Sequence, residues 1–194
     1  MKNALSIRFA GAALLCAAIV LSGCAEKTRY GDARGVETVT NQFGSTDLQM
    51  IAESMTRSML NTPIATGGER PIMTVQEVKN KTSEYIDTRS ITDSIRVELQ
   101  KSGRVRFAVD AAAMDQQIEE LKRQQSDYYD AKKSAEIGKM VGAAYRIEGN
   151  ITSIVKEAKD VKDVYYKFSL QLWNVQNGLL EWADEKEIRK TTSR

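Results

Sequence analysis

Apolar positions change their period along the chain, and the change separates a largely helical first part from a β-rich last third. Between residues 45 and 124 apolar residues recur mainly every three to four positions, as they do on the buried face of a helix. From Tyr145 onward they alternate with polar residues, which is typical of half-buried strands. The pattern predicts an α/β (α+β) domain: a sheet of about four or five strands with a C-terminal antiparallel meander, flanked by about four helices.

Three of the four predicted helices have both an apolar stripe and a polar residue that suits the start of a helix. The first begins at Ser45 or Thr46, where Thr46 and Gln49 fit a capping box. Asp87 and Asp110 are the expected N-caps of the second and third helices. A fourth helix is predicted over residues 131–140. The apolar stripes consist of Leu48, Ile51, Ala52, Met55 and Met59 in the first helix, of Ile91, Ile95 and Leu99 in the second, and of Met114, Ile118 and Leu121 in the third.

Five segments are predicted as strands, and three of them form the meander. Residues 71–79 and 104–109 lie between the helices, and Gly103 is expected to end the helix before the second of them. The meander comprises residues 145–155, 164–175 and 179–188. Asn177 and Gly178 stand between its last two strands, and an Asn-Gly pair strongly indicates a tight hairpin turn.

The first 23 residues have the layout of a lipoprotein signal peptide. Lys2 and Arg8 precede an apolar stretch of residues 9–21, which is shorter than the roughly 20 residues that span a bilayer. The stretch ends in Leu-Ser-Gly-Cys, which resembles the bacterial lipobox, so Cys24 is the expected site of lipidation. Ala25 follows it rather than Asp, and this favours the outer membrane. The protein is therefore expected to be lipid-anchored there and to face the periplasm.

The remainder of the chain divides into a tether and a globular domain. Residues 24–44, which begin with the acylated Cys, have few apolar positions and no Pro, and residues 45–194 carry the periodic patterns. A flexible coil of about 20 residues spans roughly 25 Å. The domain is therefore expected to stay near the membrane.

Composition and charge exclude several kinds of chemistry. The chain contains no His and two Cys, so His-dependent metal sites and catalytic triads are impossible. Its 28 Lys+Arg and 26 Asp+Glu give a net charge of +2, and Lys2 and Arg8 both lie in the acid-free signal segment, so the mature chain carries no net side-chain charge. No basic footprint for nucleic acid is present. We expect no catalytic residues, no cofactor, no metal site and no small-molecule substrate.

The order of several short motifs resembles the LpoB family of outer-membrane lipoproteins. The motifs are STDLQ at residues 45–49, VKNKTSEYIDT at 78–88, SGRVRFA at 102–108, GAAYRIEG at 142–149 and NGLLEWADE at 177–185. Members of this family activate class A penicillin-binding proteins, and their globular domain docks on a small accessory domain of the synthase. The resemblance implies a non-enzymatic regulator of peptidoglycan synthesis whose partner is such a synthase.

The residues of these motifs that the resemblance implies for partner binding have alternative structural roles. They are Asn80, Lys81 and Thr82 after the first strand, and Tyr145 and Glu148 on the third. Asn80 and Thr82 can instead satisfy turn amides, and Tyr145 can belong to the core. Two other functions stay open. The short tether suits a structural or assembly lipoprotein that scaffolds an outer-membrane or secretion complex, and carboxylates can support an enzyme acting on the glycan.

Overall fold

The computed structural model describes residues 28–193, and the chain divides into two compact units, Met1–Gly35 and Val36–Arg194. In the described part of the first unit, the Asp32 carbonyl and carboxylate accept hydrogen bonds from the amides of Gly35 and Arg34. The predicted signal peptide and Cys24 lie outside the described residues. No helix within residues 28–193 is both long and apolar enough to cross a membrane.

The second unit contains a mixed sheet and, within the described residues, four helices, and this confirms the predicted fold class. The sheet has six strands in the order β3-β1-β4-β5-β6, and β2 pairs with β4 beyond the end of β1. β1 is parallel to both β3 and β4, whereas β4, β5 and β6 form an antiparallel meander. The elements are α1 (Ser45–Leu60), α2 (Pro63–Thr66), β1 (Ile72–Val75), β2 (Lys79–Lys81), α3 (Thr88–Lys101), β3 (Arg106–Phe107), α4 (Met114–Gln124), β4 (Tyr145–Ala158), β5 (Val161–Asn174) and β6 (Leu180–Ser193).

One face of the sheet packs against the apolar stripes of α1 and α3. Side chains alternate between the two faces of a strand, so every second residue of β5 from Val164 to Leu172 is buried on this side, together with Ile147 and Ile151 of β4. The predicted stripes of α1 and α3 are confirmed where they form the core. The core includes Ile51, Met55 and Met59 of α1, Ile91, Ile95 and Leu99 of α3, Ile147 and Ile151 of β4, and Phe168, Leu170 and Leu172 of β5.

Two predicted helix ends and the hairpin turn are confirmed by their local geometry. The Asp87 carboxylate accepts a hydrogen bond of 3.0 Å from the Ser90 amide and caps α3. Gly103 follows the last turn of α3 with a φ of +70°, a conformation that glycine adopts without strain. Gly178 has a φ of +71° in the turn between β5 and β6.

The capping box predicted for the first helix is wrong. Gly44 is the N-cap residue, and its amide donates to the Asp47 carboxylate at 2.8 Å. The Thr46 hydroxyl accepts instead from the amide of Glu37 at 3.2 Å. The cause is a tertiary contact, because residues that precede the helix bond to the polar groups of its first turn.

The third and fourth predicted helices also differ from the structure. Asp110 caps a turn through the Ala113 amide at 3.0 Å, and α4 begins only at Met114. Residues 131–140 form turns rather than a helix. Asp130 draws the Lys132 amide into a local side-chain bond, and Gly138 has a φ of +81°, so both break the helical hydrogen-bond pattern.

Two connecting segments also depart from expectation. The strand predicted over residues 71–79 is divided between β1 and β2, because β4 pairs first with one and then with the other. Residues 61–70, for which no helix or strand was predicted, contain the short helix α2, whose N-cap is Thr62.

Residues 36–44, which the sequence assigns to the tether, fold within the second compact unit. The Glu37 carboxylate accepts from the Thr46 amide at 3.1 Å and from the Ser45 hydroxyl at 2.9 Å. These two donors hold the pKa of Glu37 below its usual value. Phe43 packs edge-on against Tyr166 with ring centroids 5.7 Å apart. The chain is therefore ordered by domain contacts from Val36 rather than from Ser45.

Candidate partner-binding surface

The face of the meander that points away from α1 and α3 carries polar side chains, and none of them is buried. We call this the open face; strand register places alternate residues of β4, β5 and β6 on it. Its members are Arg146, Glu148, Asn150 and Thr152 of β4, Tyr165, Lys167, Ser169, Gln171 and Trp173 of β5, and Ala183, Glu185, Glu187 and Arg189 of β6.

Charged groups on the open face pair with one another across strands. Lys167 lies 3.5 Å from Glu185, and the Arg189 guanidinium stacks 5.5 Å from the centre of the Tyr165 ring. The Tyr165 hydroxyl donates to Glu187, and this bond raises the pKa of Tyr165. Exposed pairs of this kind contribute only about 0–1 kcal/mol each. They can therefore exchange at low cost for ion pairs with a partner protein.

Two of the five predicted partner-binding residues belong to this side of the sheet. Glu148 lies on the open face with its side chain 32% exposed, 3.6 Å from the Arg146 guanidinium. Lys81 is exposed and pairs in register with Thr152, so it extends the same face at the β2 edge. Lys81 therefore contributes a positive charge and Glu148 a negative charge, with polar residues of β4 between them.

Asn80 and Thr82 instead bond within their own turn. The Asn80 side-chain oxygen accepts from the Thr82 backbone amide at 2.9 Å and from the Thr82 hydroxyl at 2.7 Å. The Asn80 side-chain nitrogen donates to the Glu84 carbonyl at 2.9 Å. These bonds shape the turn and fix where Glu84 lies.

Glu84 connects this turn to the buried side of the sheet. Its carboxylate accepts hydrogen bonds from the Tyr166 hydroxyl and from the Phe43 amide. The same Tyr166 hydroxyl lies 3.0 Å from the Asn41 carbonyl. Burial, followed by the bond to Glu84, raises the pKa of Tyr166, so its hydroxyl remains protonated at neutral pH. The motif containing Asn80 thereby holds residues 41–43 on the domain.

Tyr145 stands far from this turn and on the other face from Glu148. It packs, partly buried, against the core at the start of β4. Seven residues separate it from Thr152, the partner of Lys81, which corresponds to about 23 Å along a strand. The five predicted residues therefore do not converge on one small site.

Further residues of the open face were absent from the sequence-based prediction. Trp173 pairs in register with Arg146, and its indole N–H has no hydrogen-bond partner within residues 28–193. Lys167, Glu185 and Arg189 of the open face were also absent from that prediction. The period-two alternation of β5 and β6 contained the information to find them, since polar residues between buried ones must share one face.

The described region was also searched for side chains that could hold a metal ion. Within residues 28–193, no group of three or more Cys, Asp or Glu side chains is arranged to hold a metal ion. The open face instead combines charged groups of both signs with an aromatic residue toward each end of β5, Tyr165 and Trp173.

Several solved structures are similar to the chain. Structures similar to the chain include the C-terminal domain of LpoB from Escherichia coli, at 20% identity over 73% of this chain and 98% of that chain with a TM-score of 0.45. The same domain from Salmonella enterica matches at 19% identity over 73% and 98%, with a TM-score of 0.44. Lipoprotein GNA1162 from Neisseria meningitidis matches at 16% identity over 62% of this chain and 83% of that chain, with a TM-score of 0.39. No curated protein matches the sequence.

The family comparison covers most of the second compact unit. The model of the family described as "Peptidoglycan-synthase activator LpoB" matches residues 47–188, which is more than half of the 194-residue chain. This span includes α3, all of α1 except its first two residues, the turn built by Asn80, and the open face except Arg189. The chain therefore belongs to the LpoB family.

Proposed function

We propose that this protein is a non-enzymatic, lipid-anchored regulator of peptidoglycan synthesis, which binds and activates a bifunctional class A penicillin-binding protein. The family match over residues 47–188 is the observation that carries this proposal. The open face supports it, because a domain that acts by docking needs an exposed surface with specific charges rather than a catalytic cleft.

The proposed docking surface is the open face together with the exposed β2 edge. Lys81 and Glu148 contact the synthase in this proposal, and the partly exposed Trp173 provides a flat aromatic group. Asn80 and Thr82 act by shaping the turn that presents Lys81. Tyr145 supports the start of β4 from the core side.

A lipid anchor on Cys24 is the second part of the proposal, and it places the domain on the periplasmic side of the outer membrane. Each buried CH₂ group contributes about 0.8 kcal/mol, so more than one acyl chain holds the protein stably. The chain has two Cys, and the other, Cys16, lies within the apolar stretch of the signal peptide.

Replacing the lipidated cysteine should release the protein from the membrane. We expect the Cys24→Ala variant to lose incorporation of labelled palmitate and to leave the outer-membrane fraction, whereas Cys16→Ala should behave as wild type. Membrane fractionation with palmitate labelling measures both effects. Palmitate-labelled, outer-membrane Cys24→Ala protein would contradict the proposed anchor.

The short tether, which lacks Pro, favours one alternative function, a scaffold for an outer-membrane or secretion complex. Crosslinking in cells distinguishes this scaffold function from the activation of a synthase. A photoreactive amino acid replaces Glu148 on the open face or, as a control, Arg57 on the exposed side of α1. Capture of a class A synthase from position 148 but not from position 57 supports the proposal. Capture of components of another envelope complex from position 148, without the synthase, supports the scaffold.

A further inference from the structure

A groove beside the open face has apolar walls and two arginines on its floor. β1, β3 and β4 form the floor, where Ile72 and Thr74 pair in register with Arg106 and Arg146, respectively. Met114 and Gln117 of α4 also line the groove, as do residues 140–143 and Val175. Its volume is about 820 Å³. This is within the usual range of about 300–1,000 Å³ for pockets that bind ligands.

The walls of the groove expose apolar side chains that nothing in the described region covers. Met140 is 50% exposed, Val141 66% and Val175 57%. Met114 lies across the groove and is partly exposed. Methionine side chains are flexible and polarizable, and they adapt to apolar groups of different shape. The walls therefore suit the side chains of a ligand that is apolar but not uniquely shaped.

The charge in the groove has one sign. No residue that lines it is acidic, and the Arg106 side chain forms no ion pair or hydrogen bond within the part of the chain that the structure describes. The Arg146 guanidinium is paired more loosely than a close ion pair, with the Glu148 carboxylate 3.6 Å away. Strand spacing separates the two arginines by about 10 Å across the sheet. A guanidinium group without a partner binds carboxylates with paired hydrogen bonds.

We infer that this groove binds a short acidic peptide segment of a protein partner, with large apolar side chains against the methionines and a carboxylate on Arg106. A phospholipid is a poorer fit, because an acyl chain needs an enclosed channel and this groove is open to solvent. A second copy placed groove to groove would bring the arginines of both copies together. The groove shares Arg146 with the open face, but Arg106 and Ala143, which the tests below replace, lie outside the open face, so either proposal can fail while the other holds.

The test measures peptide binding by the full chain in phosphatidylcholine nanodiscs. The probes are two fluorescein-labelled peptides of equal length; Leu alternates with Glu in one and with Lys in the other. Fluorescence anisotropy should show saturable binding of the Leu-Glu peptide, about tenfold tighter than any binding of the Leu-Lys peptide, because charged hydrogen bonds have this strength.

Three variants locate the binding. Arg106→Ala should weaken binding of the Leu-Glu peptide about tenfold, by loss of a charged hydrogen bond. Ala143→Trp should abolish it by filling the groove while both arginines remain. Arg57→Ala, on α1, is the matched control and should leave it unchanged. Circular dichroism verifies that each variant is folded.

Four results would overturn the inference. They are the lack of saturable binding, equal binding of the two peptides, wild-type affinity in a folded Arg106→Ala variant, and displacement of the Leu-Glu peptide by short-chain phosphatidylglycerol at lower concentration than by unlabelled peptide. The last result would assign the groove to an anionic lipid. Loss of synthase activation has no bearing on these readouts, since no synthase is present.

Discussion

Replacing Gly149 with alanine should destabilise the domain by about 3 kcal/mol, at the upper end of the usual cost of overpacking. A Cβ atom at this position would lie 2.1 Å from the carbonyl oxygen of Ser169 and 2.7 Å from Cδ2 of Leu170. The Leu170 side chain can rotate, but the Ser169 oxygen belongs to the backbone of the neighbouring strand. The methyl group can be accommodated only if β4 and β5 move apart at the centre of the meander.

Urea unfolding of Gly149→Ala, followed by tryptophan fluorescence, measures this loss. Gly142→Ala is the matched control, because a Cβ there meets no atom within 4 Å and the φ angle is not positive. It should change the free energy of unfolding by less than about 0.5 kcal/mol, as for most surface substitutions. Equal stabilities of the two variants would show that the strands do not approach as closely at Gly149 as the structure has them.

Removing the carboxylate of Asp47 should also be strongly destabilising, by about 3–5 kcal/mol, the usual cost of breaking a buried ion pair from one side. The Asp47 side chain is 2% exposed, and it pairs with Lys190, which is 12% exposed, at 2.5 Å. The same carboxylate accepts from the Gly44 amide at the start of α1. In Asp47→Ala, Lys190 keeps its bond to the Gln42 carbonyl but loses its buried carboxylate partner, and the Gly44 amide loses the Asp47 acceptor.

Glu53→Ala on the same helix provides the control for this variant. Glu53 pairs with Arg57, but both side chains are 70% exposed, so its loss should cost less than about 1 kcal/mol. The double variant Asp47→Ala/Lys190→Met should recover part of the stability, because it no longer leaves a buried charge without a partner. Urea unfolding again gives the free energies. An Asp47→Ala variant as stable as Glu53→Ala would contradict the buried position of this pair.

The elements that the sequence predicted correctly are those determined by local pattern. The stripe of Ile91, Ile95 and Leu99 repeats with the helical period, and Asp87 stands where a cap must be. The hairpin between β5 and β6 forms at the Asn177-Gly178 pair, and its positive φ falls on the glycine. In each case the residues that decide the structure lie within a few positions of one another.

Predictions failed where the deciding contact is distant in sequence. Residues 36–44 resemble a tether by composition, yet Tyr166 and Lys190 bind the carbonyl groups of Asn41 and Gln42. A turn role for Asn80 and Thr82 was an open alternative in the sequence, but the link from this turn through Glu84 to Tyr166 was not predicted. Pairing of β4 with both β1 and β2 likewise divides a segment that has the pattern of one strand.

The central claim is that the protein activates a class A penicillin-binding protein, and the rate of glycan polymerisation tests it most directly. The purified protein is titrated into the cognate synthase with lipid-linked precursor as substrate. We predict a saturable increase in rate at equimolar protein, and no increase with a synthase that lacks its accessory domain. An unchanged rate at saturating protein, together with no detectable binding to the synthase, would contradict the account.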